Sequence, residues 1–108
     1  MEVLAKRLRQ RARELGLSDA EVARRAGLEP PSYGHYVTGD RRPTYKTLLR
    51  LCAVLTTSPN YLLGFDDDAG LPPDMARLLS AFNGLDAEGR ELAAALVEML
   101  AERLAQNR

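Results

Sequence analysis

The stretch that most limits what this chain can become runs from Leu17 to Pro43. It contains two short amphipathic segments, and Gly27 between them is the residue that takes a left-handed backbone at no steric cost. Ser18 suits a helix N-cap, because its hydroxyl can accept one of the amide hydrogens that a first turn leaves unpaired. Val22, Ala23 and Ala26 then fall on one helical face. Gly27 ends the segment, and Leu28 can tuck back into a core beneath the turn. The second segment opens Glu29-Pro30-Pro31, where proline is tolerated because first-turn amides have no helical acceptor. It closes at Gly39.

The flanks are helical as well. Glu2 to Leu15 carries Val3, Leu4, Leu8, Ala12 and Leu15 on one stripe with a basic remainder, and Gly16 ends it. Thr44 caps a fourth helix whose apolar side is Leu48, Leu49, Leu51, Cys52 and Leu55. Thr56 and Thr57 break it, and Ser58-Pro59 opens a short fifth helix, Asn60 to Leu63. Phe65 to Pro73 reads as a linker: three consecutive aspartates repel one another, and Gly70, Pro72 and Pro73 punctuate the rest. Beyond it, Met75, Ala76, Leu78, Leu79 and Phe82 give a short helix stopped by Asn83-Gly84. Asp86 caps a long helix from about Ala87 to Ala105. The expected fold is all-α: a five-helix domain over residues 1–64, an acidic linker over 65–73, and a helical hairpin over 74–108.

Three pieces of the central stretch carry a family resemblance. They are Ser-x-x-x-Val-Ala (Ser18 to Ala23), Ala-Gly-Leu (Ala26 to Leu28) and Tyr-x-x-Tyr-Val-x-Gly-x-Arg-x-Pro (Tyr33 to Pro43). With the closing Ser-Pro-Asn-Tyr-Leu-Leu-Gly (Ser58 to Gly64), they resemble the lambda-repressor-like (XRE, Cro/C1-type) helix-turn-helix domain of bacterial and phage regulators. The resemblance covers about Leu4 to Gly64. It implies a DNA-binding transcription regulator, more often a repressor, whose second motif helix enters the major groove of double-stranded DNA. Tyr33, Tyr36 and Val37, at i, i+3 and i+4, fall where the family carries core residues.

The opposite face and its surroundings supply the expected DNA contacts. Ser32 can hydrogen-bond a base edge or a phosphate, and His35 can donate to guanine or phosphate. Pro31 offers apolar contact, for instance to a thymine methyl. Gly34 lets the backbone approach closely, and Thr38 completes the face. Arg41 and Arg42 follow as the strongest cations, able to fork onto guanine or clamp phosphate. Ser18, Asp19, Thr44 and Lys46 border the same face. This sequence also departs from the family pattern. Asp19 stands where a phosphate-touching glutamine is usual, and Pro30 and Pro31 stand where long polar side chains are usual. With neither arginine nor glutamine on this helix, specificity is expected to lean on Arg41, Arg42 and DNA shape. The same departures sustain a rival, an antitoxin-like or adaptor protein that uses the fold mainly to hold another protein.

Charge supports the first reading. Net charge is zero, yet residues 1–63 hold 11 Lys and Arg against six acids, +5, and residues 64–108 hold four against nine, −5. A basic half joined to an acidic half is the footprint expected of a nucleic-acid-binding domain with an appendage. One histidine, one apolar-flanked cysteine and no glycine-rich phosphate loop leave no catalytic constellation, so no enzyme and no cofactor are expected. Asp66, Asp67 and Asp68 lack the alternating ligand spacing and distant glutamate of an EF-hand loop, so no metal is expected either. A lone Cys52, no signal-peptide pattern and no run of about 20 apolar residues point to a cytoplasmic home without membrane contact.

The final helix carries more apolar surface than a two-helix hairpin can hide. Leu92, Leu96 and Met99 form one edge, and Ala93, Val97, Leu100 and Leu104 the other. Docking on the first five helices or pairing with a second chain would each cover it. Pairing is the expectation, because the acidic linker argues against tight docking, so a homodimer with Leu92, Leu96, Val97, Met99, Leu100 and Leu104 at its interface is expected.

Overall fold

The computed structural model describes residues 2–107 and is helical throughout its regular structure. The elements are α1 (Glu2–Glu14), α2 (Asp19–Ala26), α3 (Pro30–Thr38), α4 (Tyr45–Leu55), α5 (Pro59–Leu62), α6 (Pro73–Asn83) and α7 (Ala87–Gln106). The local chemistry of the sequence sets most of these boundaries. Ser18, Thr44, Ser58 and Asp86 each accept an amide N–H of the turn they open. Gly27, at φ 70°, ends α2 in the left-handed region, and Leu28 N–H returns to Ala23 O at 2.8 Å.

Helices α1 to α5 close one core. Leu4 and Leu8 of α1, Val22 and Ala23 of α2, Tyr33 and Val37 of α3, Leu51 and Leu55 of α4, and Tyr61 and Leu62 of α5 are all buried in it. Tyr36 is packed against its edge. Burying apolar side chains from five elements together gives short helices the stability that none would have alone.

Arginines of α1 tie the elements together. Arg11 is 1% exposed. Its Nε donates to Leu55 O and its Nη2 to Thr56 O, both at 2.9 Å, so a guanidinium closes the C-terminal end of α4. The same Nη2 reaches Leu71 O at 3.1 Å. Arg9 donates to Val37 O near the end of α3. Arg7 lies over the Tyr61 ring, 4.5 Å from its centroid, and donates to Tyr61 O, Asp66 O and the Asp67 carboxylate. The basic remainder of α1 is thus partly structural.

The acidic segment is ordered by its own carboxylates. Asp66 accepts from Asp68 N–H at 3.0 Å, Asp68 from Gly70 N–H at 2.9 Å, and Asp67 pairs with Arg7 at 2.8 Å. Gly70, at φ 109°, passes so close to Thr56 O that a β-carbon there would sit 3.1 Å from it. The chain therefore runs along the first domain, and α6 packs on α4. Ala76 and Ser80 are buried, Thr56 Oγ1 donates to Ala76 O at 3.2 Å, and Arg25 donates to Ser80 Oγ at 2.9 Å.

Helix α7 differs from the rest. It buries none of its residues and has only sparse contact with other helices. Its 20 residues span about 30 Å, and the molecule's longest dimension is 52 Å.

Candidate nucleic-acid interface

The face opposite Tyr33 and Val37 begins at the Glu29–Pro30 junction. Proline restricts the residue before it to extended backbone, and Glu29 lies at φ −67°, ψ 138°. Pro30 and Pro31 occupy the first turn of α3 with no side-chain cap, and Ser32 N–H bonds to Glu29 O at 3.0 Å. Pro31 and Thr38 are exposed, while Ser32, Gly34 and His35 are half-buried. A β-carbon built on Gly34 meets nothing within 4 Å, so that position is open space.

The end of α3 is tied to the loop that follows. Thr38 Oγ1 donates back to Gly34 O at 3.0 Å, which occupies the hydroxyl hydrogen but leaves its lone pairs free. His35 Nδ1 lies 3.6 Å from Asp40 Oδ2, and Arg41 N–H donates to His35 O at 3.2 Å. Arg41 and Arg42 are exposed, and their guanidiniums have no protein partner among the described residues. Helix α4 starts directly after them. The Thr44 hydroxyl accepts from Thr47 N–H at 3.2 Å and donates to Thr47 Oγ1 at 3.1 Å, so it is spent on the cap. Lys46 is exposed on the same first turn.

Pro31, Ser32, Gly34, His35, Thr38, Arg41, Arg42, Thr44 and Lys46 lie along one run of chain, from α3 through the loop into the first turn of α4. Ser18 and Asp19 are exposed at the start of α2. There the Ser18 hydroxyl accepts from Glu21 N–H at 3.1 Å. The Arg24 guanidinium holds the Glu21 carboxyl below its usual pKa, so α2 opens with a negative first turn. Burial, assisted by the Asp19 charge, holds the Tyr33 phenol well above its usual pKa.

Tyr45 is missing from the sequence expectation. It is 75% exposed in the first turn of α4, beside the arginine loop. No sequence signal marked it, since it stands three and seven residues before the buried Leu48 and Cys52, at the edge of the apolar stripe. The charge count also changes meaning. Arg7, Arg9, Arg11, Arg24 and Arg25 all have internal partners. Lys6, Arg13, Arg41, Arg42, Lys46 and Arg50 of the first domain, with Arg77 and Arg103 beyond it, are exposed and have no side-chain partner among the described residues.

Residues 3–62 match the family model described as a helix-turn-helix domain, more than half of the chain. The protein belongs to the helix-turn-helix family of the lambda-repressor-like, XRE type. Over nearly its whole length it is also similar to the uncharacterized HTH-type transcriptional regulator YqaE of Bacillus subtilis (strain 168). Identity is 26% over 114 aligned residues, covering 98% of this chain and 97% of that one. No solved structure matches the chain. Among the described residues, no helix is long and apolar enough to cross a membrane.

Proposed function

We propose that this protein is a transcription regulator, acting as a repressor, that binds a palindromic operator as a homodimer. The observation that carries the reading is the unpartnered Arg41–Arg42 pair, set between α3 and the first turn of α4, while Arg7, Arg9, Arg11, Arg24 and Arg25 are engaged internally. Cations exposed beside a helix of the right position are what phosphate contact and guanine readout require. The resemblance to a protein named as an HTH-type transcriptional regulator, which extends through the hairpin, supports the same role.

Dimerisation is assigned to α7. Leu92, Leu96, Val97, Met99, Leu100 and Leu104 are each 49–63% exposed, and Leu78, Leu79 and Leu85 continue the apolar surface onto α6 and its turn. An exposed band of this extent on a soluble chain marks an interface, and a standard interface takes about 800 Å² from each partner. A two-fold pair of hairpins would bury the band and fix the separation of the two α3 helices.

The test combines two measurements. Duplex affinity of the parent should fall steeply with salt, and Arg41→Ala with Arg42→Ala should weaken binding and flatten that slope. Sedimentation should show a dimer for the parent and a monomer for Leu96→Glu, whose carboxylate would be buried twice by symmetry. Unchanged duplex binding in the double variant would move the function to protein partners. A parent that sediments as a monomer would remove the dimer.

A further inference from the structure

A cleft on the far side of α2 and α4 is lined by none of the proposed DNA-contacting residues. This cleft, of about 860 Å³, opens between the end of α2, the middle of α4 and the end of α6. Three arginines line it: Arg24 and Arg25 from α2 and Arg50 from α4. One carboxylate faces them. Glu21 accepts from Arg24 Nε at 2.8 Å and from Arg25 Nε at 3.3 Å, so two guanidiniums share a single negative charge. Arg50 is exposed and has no ion-pair or hydrogen-bond partner among the described residues. The balance is three positive charges against one.

Helix C-termini would oppose an anion here, because α2 and α6 both end at the cleft. Their carbonyls are largely spent. Gly27 and Leu28 N–H close on Arg24 O and Ala23 O, and Arg90 donates to Leu85 O at 3.1 Å and Asn83 O at 3.2 Å. The cleft also has directed polar groups. Arg25 is held in place by Ser80 Oγ at 2.9 Å, and Asn83 lines the same wall. Ala53, Val54 and Leu85 make the remaining wall apolar.

We propose that this cleft binds a small phosphate-bearing molecule with a compact apolar body. A phosphate dianion matches the surplus of two positive charges, and guanidiniums fork onto its oxygens with two parallel N–H bonds. The apolar wall then covers the body of the ligand. Because α2 and α4 belong to the helix-turn-helix unit and α6 to the hairpin, an occupant spans the two and ties their relative position to a soluble signal.

Phenyl phosphate is the probe, with inorganic phosphate and benzoate as its parts, titrated into the full-length protein and followed by amide NMR shifts. Saturable binding is expected, with the largest shifts at Ser80, Asn83 and Arg50 and weaker binding of either part. Arg50→Ala should leave the unliganded fold intact and weaken phenyl phosphate about tenfold, the loss expected for one charge-assisted hydrogen bond. Arg41→Ala with Arg42→Ala should leave it unchanged. Equal affinity for the parent and Arg50→Ala, or loss in the Arg41, Arg42 double variant, would overturn the proposal by placing the anion elsewhere. Displacement of the probe by duplex DNA would overturn it too, by making the cleft part of the DNA footprint. So would an absence of saturable binding.

Discussion

Arg11 offers the sharpest test of how this fold is held together. Replacing it with methionine keeps an unbranched stem of similar volume and removes every donor. Leu55 O and Thr56 O, at the end of α4, then lose the guanidinium that reaches each at 2.9 Å. Leu71 is exposed and its carbonyl can turn to water, and so can Glu14, whose carboxylate lies 3.5 Å from Arg11 Nη1. One buried and one part-buried acceptor left unpaired, at about 1–3 kcal/mol each with the second nearer the lower end, predict a loss of about 2–4 kcal/mol. That is a large part of the 5–15 kcal/mol typical of a whole domain. Urea unfolding followed by helical circular dichroism measures it directly. Arg11→Lys should fall between parent and methionine, because an ammonium keeps the charge but cannot fork between carbonyls. A methionine variant within about 1 kcal/mol of the parent would refute the reasoning and make the buried guanidinium a spectator.

The Tyr33 hydroxyl is buried without a partner, so Tyr33→Phe should leave stability unchanged or raise it by about 1 kcal/mol; a comparable loss in urea unfolding would show that the hydroxyl is bonded in solution. Burial pushes the Cys52 thiol from 9.0 up to about 11. The folded state therefore holds this proton more tightly than the unfolded state. Its stabilising contribution should be complete below pH 9 and decline as pH rises from 9 towards 11. An unfolding series across that range should be flatter for Cys52→Ala, and identical slopes would contradict the assignment. A chain ended at Gly64 should fold, because the core cluster lies within α1 to α5. It should nevertheless unfold at lower urea than the parent, having lost the Ala76 and Ser80 contacts and one acceptor of Arg11; an equal midpoint would mean that α6 docks without contributing.

Much of the architecture was legible because it is written locally. Caps at Ser18, Thr44, Ser58 and Asp86 and the stop at Gly27 depend on residues within one turn, and each forms where the sequence places it. The candidate contact positions of α3 follow from the same periodicity, since burying Tyr33 and Val37 turns Ser32 and His35 the other way. Long-range partners were not legible. Arg11 looks like one basic residue among several, although its spacing from Leu4, Leu8 and Leu15 puts it on the apolar stripe. Its acceptors lie 44 to 60 residues away. The docking of α6 was hidden for a related reason. Its large apolar residues Met75, Leu78 and Leu79 draw attention, yet the helix packs through Ala76 and Ser80, whose small size lets it approach α4 closely.

The two ends of α3 have a consequence for what the helix can measure. Pro30 and Pro31 forbid extension towards the N-terminus, since a proline moved into the interior would clash with the preceding turn. Gly39, left-handed at φ 85°, terminates the other end. The helix can neither lengthen nor slide without breaking one stop, so it behaves as a ruler of fixed length. Nine residues rise about 13 Å. Laid along a duplex that advances about 3.4 Å per base pair, a rod of that length spans about four steps. On the proposed reading, in which α3 enters the groove, the window open to it is cut to size by the ring of one residue type and the missing side chain of another.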